Sequence, residues 1–165
     1  MTKRAEFLIK GRWRLAEPFH YTASGLNHIF LLNGVTIKKT SYGPMVEIDN
    51  LNGLHHAIGL YIIEKSEPMT GAEFRFLRKQ MELTQEELAR VIKTTDQTVA
   101  NYEKGKTADL GPADPLLRLT YLLHVVPEET RAEVLKQASE HPGAGISKLP
   151  DLPRGKIVQK WRIAA

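Results

Sequence analysis

Residues 84–105 read TQEELARVIKTTDQTVANYEKG, and the fold turns on how this stretch is parsed. Thr84 and Glu87 form a capping box: the hydroxyl accepts from the amide three residues on, and the carboxylate reaches back to the threonine amide. The helix that follows has Leu88, Val91 and Ile92 as its apolar residues. Thr95 caps another helix, from Asp96 to Glu103. Lys104-Gly105 ends it, with Gly105 suited to the left-handed position past a helix C-terminus. Upstream, Thr70-Gly71-Ala72-Glu73 is a second capping box, opening a helix in which Phe74, Leu77, Arg78 and Met81 share a face. The pattern predicts three short helices joined by tight turns, a helix-turn-helix centred on 84–105.

The last of these helices has the composition of a reader of base edges. Such a helix packs its back on its predecessor and presents polar side chains from its first two turns. Val99 and Tyr102, three apart, supply the packing face; Gln97, Thr98 and Asn101 fall on the other side, with Asp96 at the N-terminal edge. Glutamine and asparagine amides bond bidentately to adenine N6 and N7, and a threonine methyl meets that of thymine. Gln85, at the N-terminus of the preceding helix, is placed to bond a backbone phosphate with the help of the helix dipole. The candidate DNA-contacting set is Gln85, Thr95, Asp96, Gln97, Thr98, Asn101 and Lys104.

Working outward, the N-terminal side is β-rich. Phe7 to Leu15 alternates as a half-buried strand does. Ile29-Phe30-Leu31-Leu32, Asn33-Gly34 and Val35-Thr36-Ile37 together predict a hairpin over 28–40 that turns at Asn33-Gly34. Tyr42-Gly43-Pro44 turns the chain again before a brief strand, Met45 to Ile48. Leu54 to Ile63 reads as a helix with Leu54, Ala57, Ile58 and Tyr61 on one face, and 64–69, EKSEPM, as a short polar linker. On the C-terminal side, Asp114 to Val126 is apolar around much of its circumference, enough to close the helical core with a surplus for a dimer interface. Pro127 then starts a more polar last helix, Glu128 to Ala138. Ile157 to Ile163 reads as a strand paired with the N-terminal one. The expectation is an α+β protein: a small β-containing N-terminal domain (1–65), a five-helix helix-turn-helix domain (66–141) and a basic tail (142–165).

Composition narrows the function classes. The chain has 165 residues, 42% hydrophobic and 25% charged, room for one ordinary domain or two small ones. Cysteine is absent, which excludes disulfides and cysteine-ligated metal, and a reducing cytoplasm fits. No run approaches the ~18 apolar residues of a membrane span, and the N-terminus lacks an apolar stretch followed by a small-residue cleavage site. The chain's net charge is +4, and its positive excess sits at the two ends. Lys3, Arg4, Lys10, Arg12 and Arg14 face Glu6 alone, and Lys148, Arg154, Lys156, Lys160 and Arg162 face Asp151 alone. Such ends serve either as arms on nucleic-acid phosphates or as solvated termini.

LTQEELARVIKTTDQTVANYEKGK resembles the helix-turn-helix of the phage-repressor or xenobiotic-response-element family, with Gln85, Leu88, Ala89, Val99, Glu103 and Gly105 where that pattern places those types. The chain departs from it in the inter-helix turn, which reads Lys93-Thr94 where glycine is usual, and at Asn101, where the family often offers arginine. More widely, HYTASGLNHIFLLNGV, GLHHAIG and MTGAEFRFLRKQMELTQEELA resemble the MqsA/YgiT-type antitoxin and regulator family. This chain lacks the zinc-binding cysteines often found there. That resemblance implies a dimer, a toxin partner and autorepression of its own operon.

His20, His28, His55 and His56 have no carboxylate at ligand spacing, so core or surface roles outweigh a metal site. Arg75, Arg78 and Lys79 are either phosphate grips or, more simply, a solvated helix face; Trp13 and Trp161, within the basic ends, read as core-packing residues ahead of anchors to the body or to a partner. With no nucleophile–base pair, phosphate-cradling glycine loop or metal cluster, the sequence gives no enzyme, and it calls for no cofactor. The expected function is a dimeric, sequence-specific DNA-binding regulator that occludes a palindromic operator. The alternative is an antitoxin-like module that neutralises a protein partner through its N-terminal domain, which a large exposed apolar patch on 7–63 would favour.

Overall fold

The computed structural model describes residues 18–140 and 163–164. The strand expected over 7–15, both basic ends, Trp13 and Trp161 lie outside the described residues. The chain divides into two compact units. The first runs to Ile58 and takes in the strand at 163–164; the second starts at Gly59. With six helices and two small antiparallel sheets, the described residues are α+β, as the sequence predicts.

In the first unit, β1 (Phe19–His20), β2 (Phe30–Leu31) and β5 (Ile163–Ala164) form an antiparallel sheet in the order β1-β2-β5. Phe19 pairs with Leu31, and Phe30 with Ala164. Of the strand expected over 157–163 only Ile163 is among the described residues, and there β5 pairs with β2. His20 stacks on Phe30 at 4.7 Å and donates through Nε2 to the Asn27 carbonyl at 2.8 Å. Tyr21, Leu26, Ile29 and Leu31 are buried, which gives this small unit an apolar centre.

The hairpin expected across Asn33-Gly34 does not form. β3 (Val35–Thr40) pairs instead with β4 (Gly43–Ile48), from Val35↔Ile48 to Thr40↔Gly43. Gly34 does adopt the positive φ, 72°, that the dipeptide signals, but its carbonyl accepts from Asp49 and the turn passes the chain from one sheet to the other. The competing turn, also of two residues, is the better bonded. The Thr40 hydroxyl donates to the Gly43 carbonyl at 2.7 Å and accepts from the Tyr42 amide at 3.2 Å across the two-residue loop Ser41-Tyr42. Six-residue strands flank that loop, whereas β2 finds two partners elsewhere.

α1 (Leu51–Glu64) is capped by Asn50, whose Oδ1 accepts from the Gly53 amide at 2.9 Å. Its apolar surface is broader than the single face expected: Leu54, Ile58, Leu60, Ile62 and Ile63 are buried, while Ala57 and Tyr61 are half-buried. His55 shares a 2.8 Å hydrogen bond with the Tyr21 hydroxyl. Burial holds the imidazoles of His55 and His56 below their ordinary pKa of 6.5.

The second unit holds the end of α1 and five further helices: α2 (Gly71–Gln80), α3 (Gln85–Val91), α4 (Asp96–Glu103), α5 (Ala113–Val125) and α6 (Glu128–Glu140). Phe74, Leu77, Leu88, Val99, Leu117 and Tyr121 fill its centre. A Cβ on Gly59 would lie 2.0 Å from the Tyr121 hydroxyl, so only glycine lets that ring sit against the helix. The polar segment after α1 is not a loose spacer. Arg118, on α5, donates to the carbonyls of Ile62 (3.0 Å), Ile63 (3.2 Å), Lys65 (2.7 Å) and Glu67 (2.8 Å) and pairs with Asp114. Asp114 in turn accepts from the Met69 amide at 2.6 Å. Carbonyls orphaned at a helix C-terminus need donors, and here one guanidinium supplies them. Leu116 on α5 and Leu135 on α6 stay exposed.

Candidate nucleic-acid interface

Capping positions the three helices of the site. Both capping boxes form: Thr70 accepts from the Glu73 amide and Thr84 from that of Glu87, while each glutamate accepts from its threonine's amide at 2.7 Å. Thr95 caps α4, its Oγ1 accepting from the Thr98 amide at 3.1 Å. All three helices then end alike, with the second residue past the C-cap bonded back across the last turn: Leu83 to Arg78, Thr94 to Ala89, Lys106 to Asn101. This geometry needs a left-handed residue, and Gly105 supplies one at φ 65°. Glu82 and Lys93 adopt it without being glycine, at 57° and 56°. Lys93 therefore makes the glycine-type inter-helix turn despite its side chain.

α4 is seated from behind. Val99 is fully buried, and the Tyr102 ring meets Phe74 edge-on at 5.6 Å. On α3 and its C-cap the core residues are Leu88, Ala89 and Ile92, whereas Val91, expected among them, faces outward with 44% exposure. The first turn of α2 abuts the end of α4 so closely that a Cβ on Gly71 would lie 2.2 Å from the Tyr102 carbonyl oxygen.

A buried charged lock ties the three helices together. Arg78 of α2 donates from Nε to Glu103 Oε1 (2.5 Å) and from one terminal nitrogen to Oε2 (3.1 Å), and from the other to the Leu83 carbonyl (2.7 Å). Gln85 of α3 donates to the same Glu103 Oε2 at 2.8 Å. Burial pushes the Glu103 carboxyl pKa up, but hydrogen bonds from Arg78 and Gln85 and the charges of Arg78 and Arg75 outweigh it, so the net shift is downward. Arg78 is thus neither a phosphate grip nor part of a solvated face, as its sequence position suggested; it is 9% exposed and fully committed. Arg75 and Lys79, on the same helix, are exposed.

The seven candidate contact residues fall into separate groups. Gln85 donates one amide hydrogen to Glu103 at 2.8 Å. Thr95, Asp96 and Thr98 turn their oxygens onto the start of α4: the two threonine hydroxyls bond at 2.9 Å, and Asp96 accepts from the Gln97 amide at 2.8 Å. Gln97, Asn101 and Lys104, at i, i+4 and i+7, lie opposite Val99 on the outward stripe. Gln97 Nε2 donates to Asn101 Oδ1 at 3.3 Å, and Lys104 is exposed at the C-cap. Sequence spacing placed Gln97 and Asn101 opposite Val99, together with Thr98, whose hydroxyl bonds that of Thr95; it did not place Lys104 on the stripe. It missed the lock, whose partners lie 25 and 18 residues apart; the only local hint was a charged residue, Arg78, on an otherwise apolar face.

None of the described helices is long and apolar enough to cross a membrane. Residues 74–111 match the model of a family described as helix-turn-helix, a span holding most of α2 and all of α3 and α4. No curated protein and no solved structure matches the chain. The matched segment is a DNA-binding helix-turn-helix of the kind transcription regulators carry.

Proposed function

We propose that this chain, built around a helix-turn-helix segment, is a sequence-specific transcription regulator that binds a palindromic operator as a homodimer and represses its own operon. One observation carries the reading: an outward polar stripe on α4, Gln97-Asn101-Lys104, is held rigid from behind by the Arg78–Glu103–Gln85 lock. A helix that reads base edges needs polar groups presented at a fixed angle, and the buried lock supplies the fixing. Lys104, with the exposed Arg75 and Lys79, supplies positive charge for phosphates. Leu116 and Leu135 supply apolar surface for pairing two copies. The test is a binding titration of the full chain against its own upstream DNA and a scrambled duplex, at two salt concentrations, alongside a Gln97→Ala/Asn101→Ala double variant. Tight, salt-sensitive binding that prefers the upstream DNA, with the preference lost in the variant, is expected. Equal, weak binding to both duplexes would refute the sequence-specific reading.

A second reading draws support from the β3–β4 hairpin. Tyr42 at its tip is fully exposed, and Ile37, Met45 and Val46 are 52%, 48% and 43% exposed. Isolated two-stranded hairpins are marginal in water, and apolar side chains left in solvent mark protein contact surfaces. This supports an antitoxin-like role in which the N-terminal unit binds a protein partner. Replacing Ile37, Tyr42 and Val46 by serine should abolish such a complex and leave operator binding intact; loss of both, or of neither, would count against it.

A further inference from the structure

We infer that the outer edge of β3 takes up an extended strand of a partner protein, one that carries an acidic side chain two residues from an apolar one. This rests on the protein-contact reading of the β3–β4 hairpin given above and adds the chemistry of the partner.

The hydrogen-bonding phase of the hairpin fixes which backbone groups face outward. The Asp49 amide donates to the Gly34 carbonyl, so by alternation Thr36↔Glu47, Lys38↔Met45 and Thr40↔Gly43 are the bonded pairs. Val35, Ile37 and Lys39 therefore turn their N–H and C=O groups away from β4. On the opposite edge Pro44 has no N–H to offer, which makes β4 the poorer site for a further strand. On β3, Val35 is fully buried, whereas residues 37–40 are exposed. Ile37 and Lys39 make no hydrogen bond outside the hairpin among the described residues. The open edge thus offers two donors and two acceptors, the requirement for adding a strand.

Side chains decide which strand fits. Ile37 and Lys39 share a face with Val46 and Pro44, because opposed residues point the same way. Lys38 lies on the other face, in an ion pair with Glu47, whereas Lys39 has no ionic partner among the described residues. A strand laid along β3 sets one residue opposite Ile37, where an apolar side chain widens the exposed Ile37–Val46 surface. The residue two along then lies opposite Lys39, where a carboxylate pairs with it. A second copy of this chain does not fit. Antiparallel self-pairing centred on Ile37 brings Lys39 onto the buried Val35. Centred on Lys38 or Lys39, it sets two lysines against each other; farther out, too little strand remains to pair.

The probe is an eight-residue peptide repeating valine-threonine-glutamate-threonine, compared with a counterpart in which lysine replaces glutamate. Each is titrated against the full chain at low salt, with amide hydrogen exchange followed by NMR. The glutamate peptide should bind about fivefold tighter than the lysine one, and should slow exchange at the Ile37 and Lys39 amides. Lys39→Glu should reverse the order of the two peptides. Binding indifferent to charge, unchanged exchange at Ile37 and Lys39, or no binding at millimolar peptide would overturn the inference. So would protection of those two amides by self-association without peptide, which would make a second copy the occupant. A protein complex lost on serine replacement of Ile37, Tyr42 and Val46 but unaffected by Lys39→Glu would overturn it while leaving the antitoxin-like reading standing. The two-peptide comparison on the wild type needs no variant, so a misfolded substitution does not obscure the result.

Discussion

Replacing Gly71 by alanine sets two physical effects against each other. On helix propensity alone, alanine is favoured over glycine by up to ~1 kcal/mol, and the variant would be the more stable protein. The packing of α2 on α4 says the reverse. A methyl at residue 71 would lie 2.2 Å from the Tyr102 carbonyl oxygen and 3.1 Å from both the Glu103 carbonyl oxygen and the Gly105 amide nitrogen. The shortest of these is about 1 Å inside the ~3.3 Å of a close C–H···O contact. All three neighbours are backbone atoms, so no side chain can swing aside, and relief requires moving the start of α2 off the end of α4. Overpacking of this kind costs about 1–3 kcal/mol, and the backbone setting places it at the upper end. Subtracting the propensity gain leaves a net loss of about 2 kcal/mol, a factor of roughly 30 in the ratio of folded to unfolded chain. Urea titration of both full-length proteins by circular dichroism should show the variant's midpoint lowered at unchanged slope. A variant as stable as the wild type, or more so, would refute the close approach and with it this account of how α4 is seated.

Lys93→Gly should act in the opposite direction. It removes a left-handed penalty of roughly 1–2 kcal/mol and adds roughly 0.5–1 kcal/mol of chain entropy, so thermal melts should show a gain of about 0.5–1 kcal/mol. Arg78→Met leaves Glu103 buried without its cation and should cost about 3 kcal/mol in denaturant titration. The Glu103 carboxyl is held below its ordinary 4.5, so its contribution is complete above that value and lost as pH falls through the folded-state pKa. The stability gap between wild type and Glu103→Gln should accordingly close on acidification below 4.5. His55 and His56, held below 6.5 by burial, take up protons more readily in the unfolded chain, so acidification below 6.5 should weaken the first unit. Hydrogen exchange at the strand amides would register this loss, and a His55→Gln/His56→Gln variant should flatten it.

The local rules were legible and the long-range ones were not. Thr70, Thr84 and Thr95 cap where their spacing places them, because a cap involves atoms at most a few residues apart. The outward position of Gln97 and Asn101 follows from their offset to Val99. The turn at Asn33-Gly34 misled because the dipeptide reports a positive φ, which Gly34 has, and not the strand partner. That choice was settled by Thr40 and a better loop nearby. The left-handed Glu82 and Lys93 were hidden by their side chains, since only glycine advertises that conformation in a sequence. Arg78 fits a phosphate grip or a solvated face by its sequence position, and nothing local marks Arg118 as a clamp, because Glu103 lies 25 residues from the first and the clamped carbonyls 51–56 from the second.

The Arg118 clamp bears on where the molecule can be cut. Three of its four backbone acceptors, the carbonyls of Ile62, Ile63 and Lys65, lie upstream of residue 66. A fragment begun at 66 would strand a guanidinium in the helical unit with the Glu67 carbonyl and Asp114 alone, and would expose the apolar seat of Ile62 and Ile63. A fragment begun at Gly59 keeps every acceptor. The last turns of α1 are therefore to be carried with the helix-turn-helix when it is expressed separately, although the polar run that follows them looks the more natural place to divide the chain.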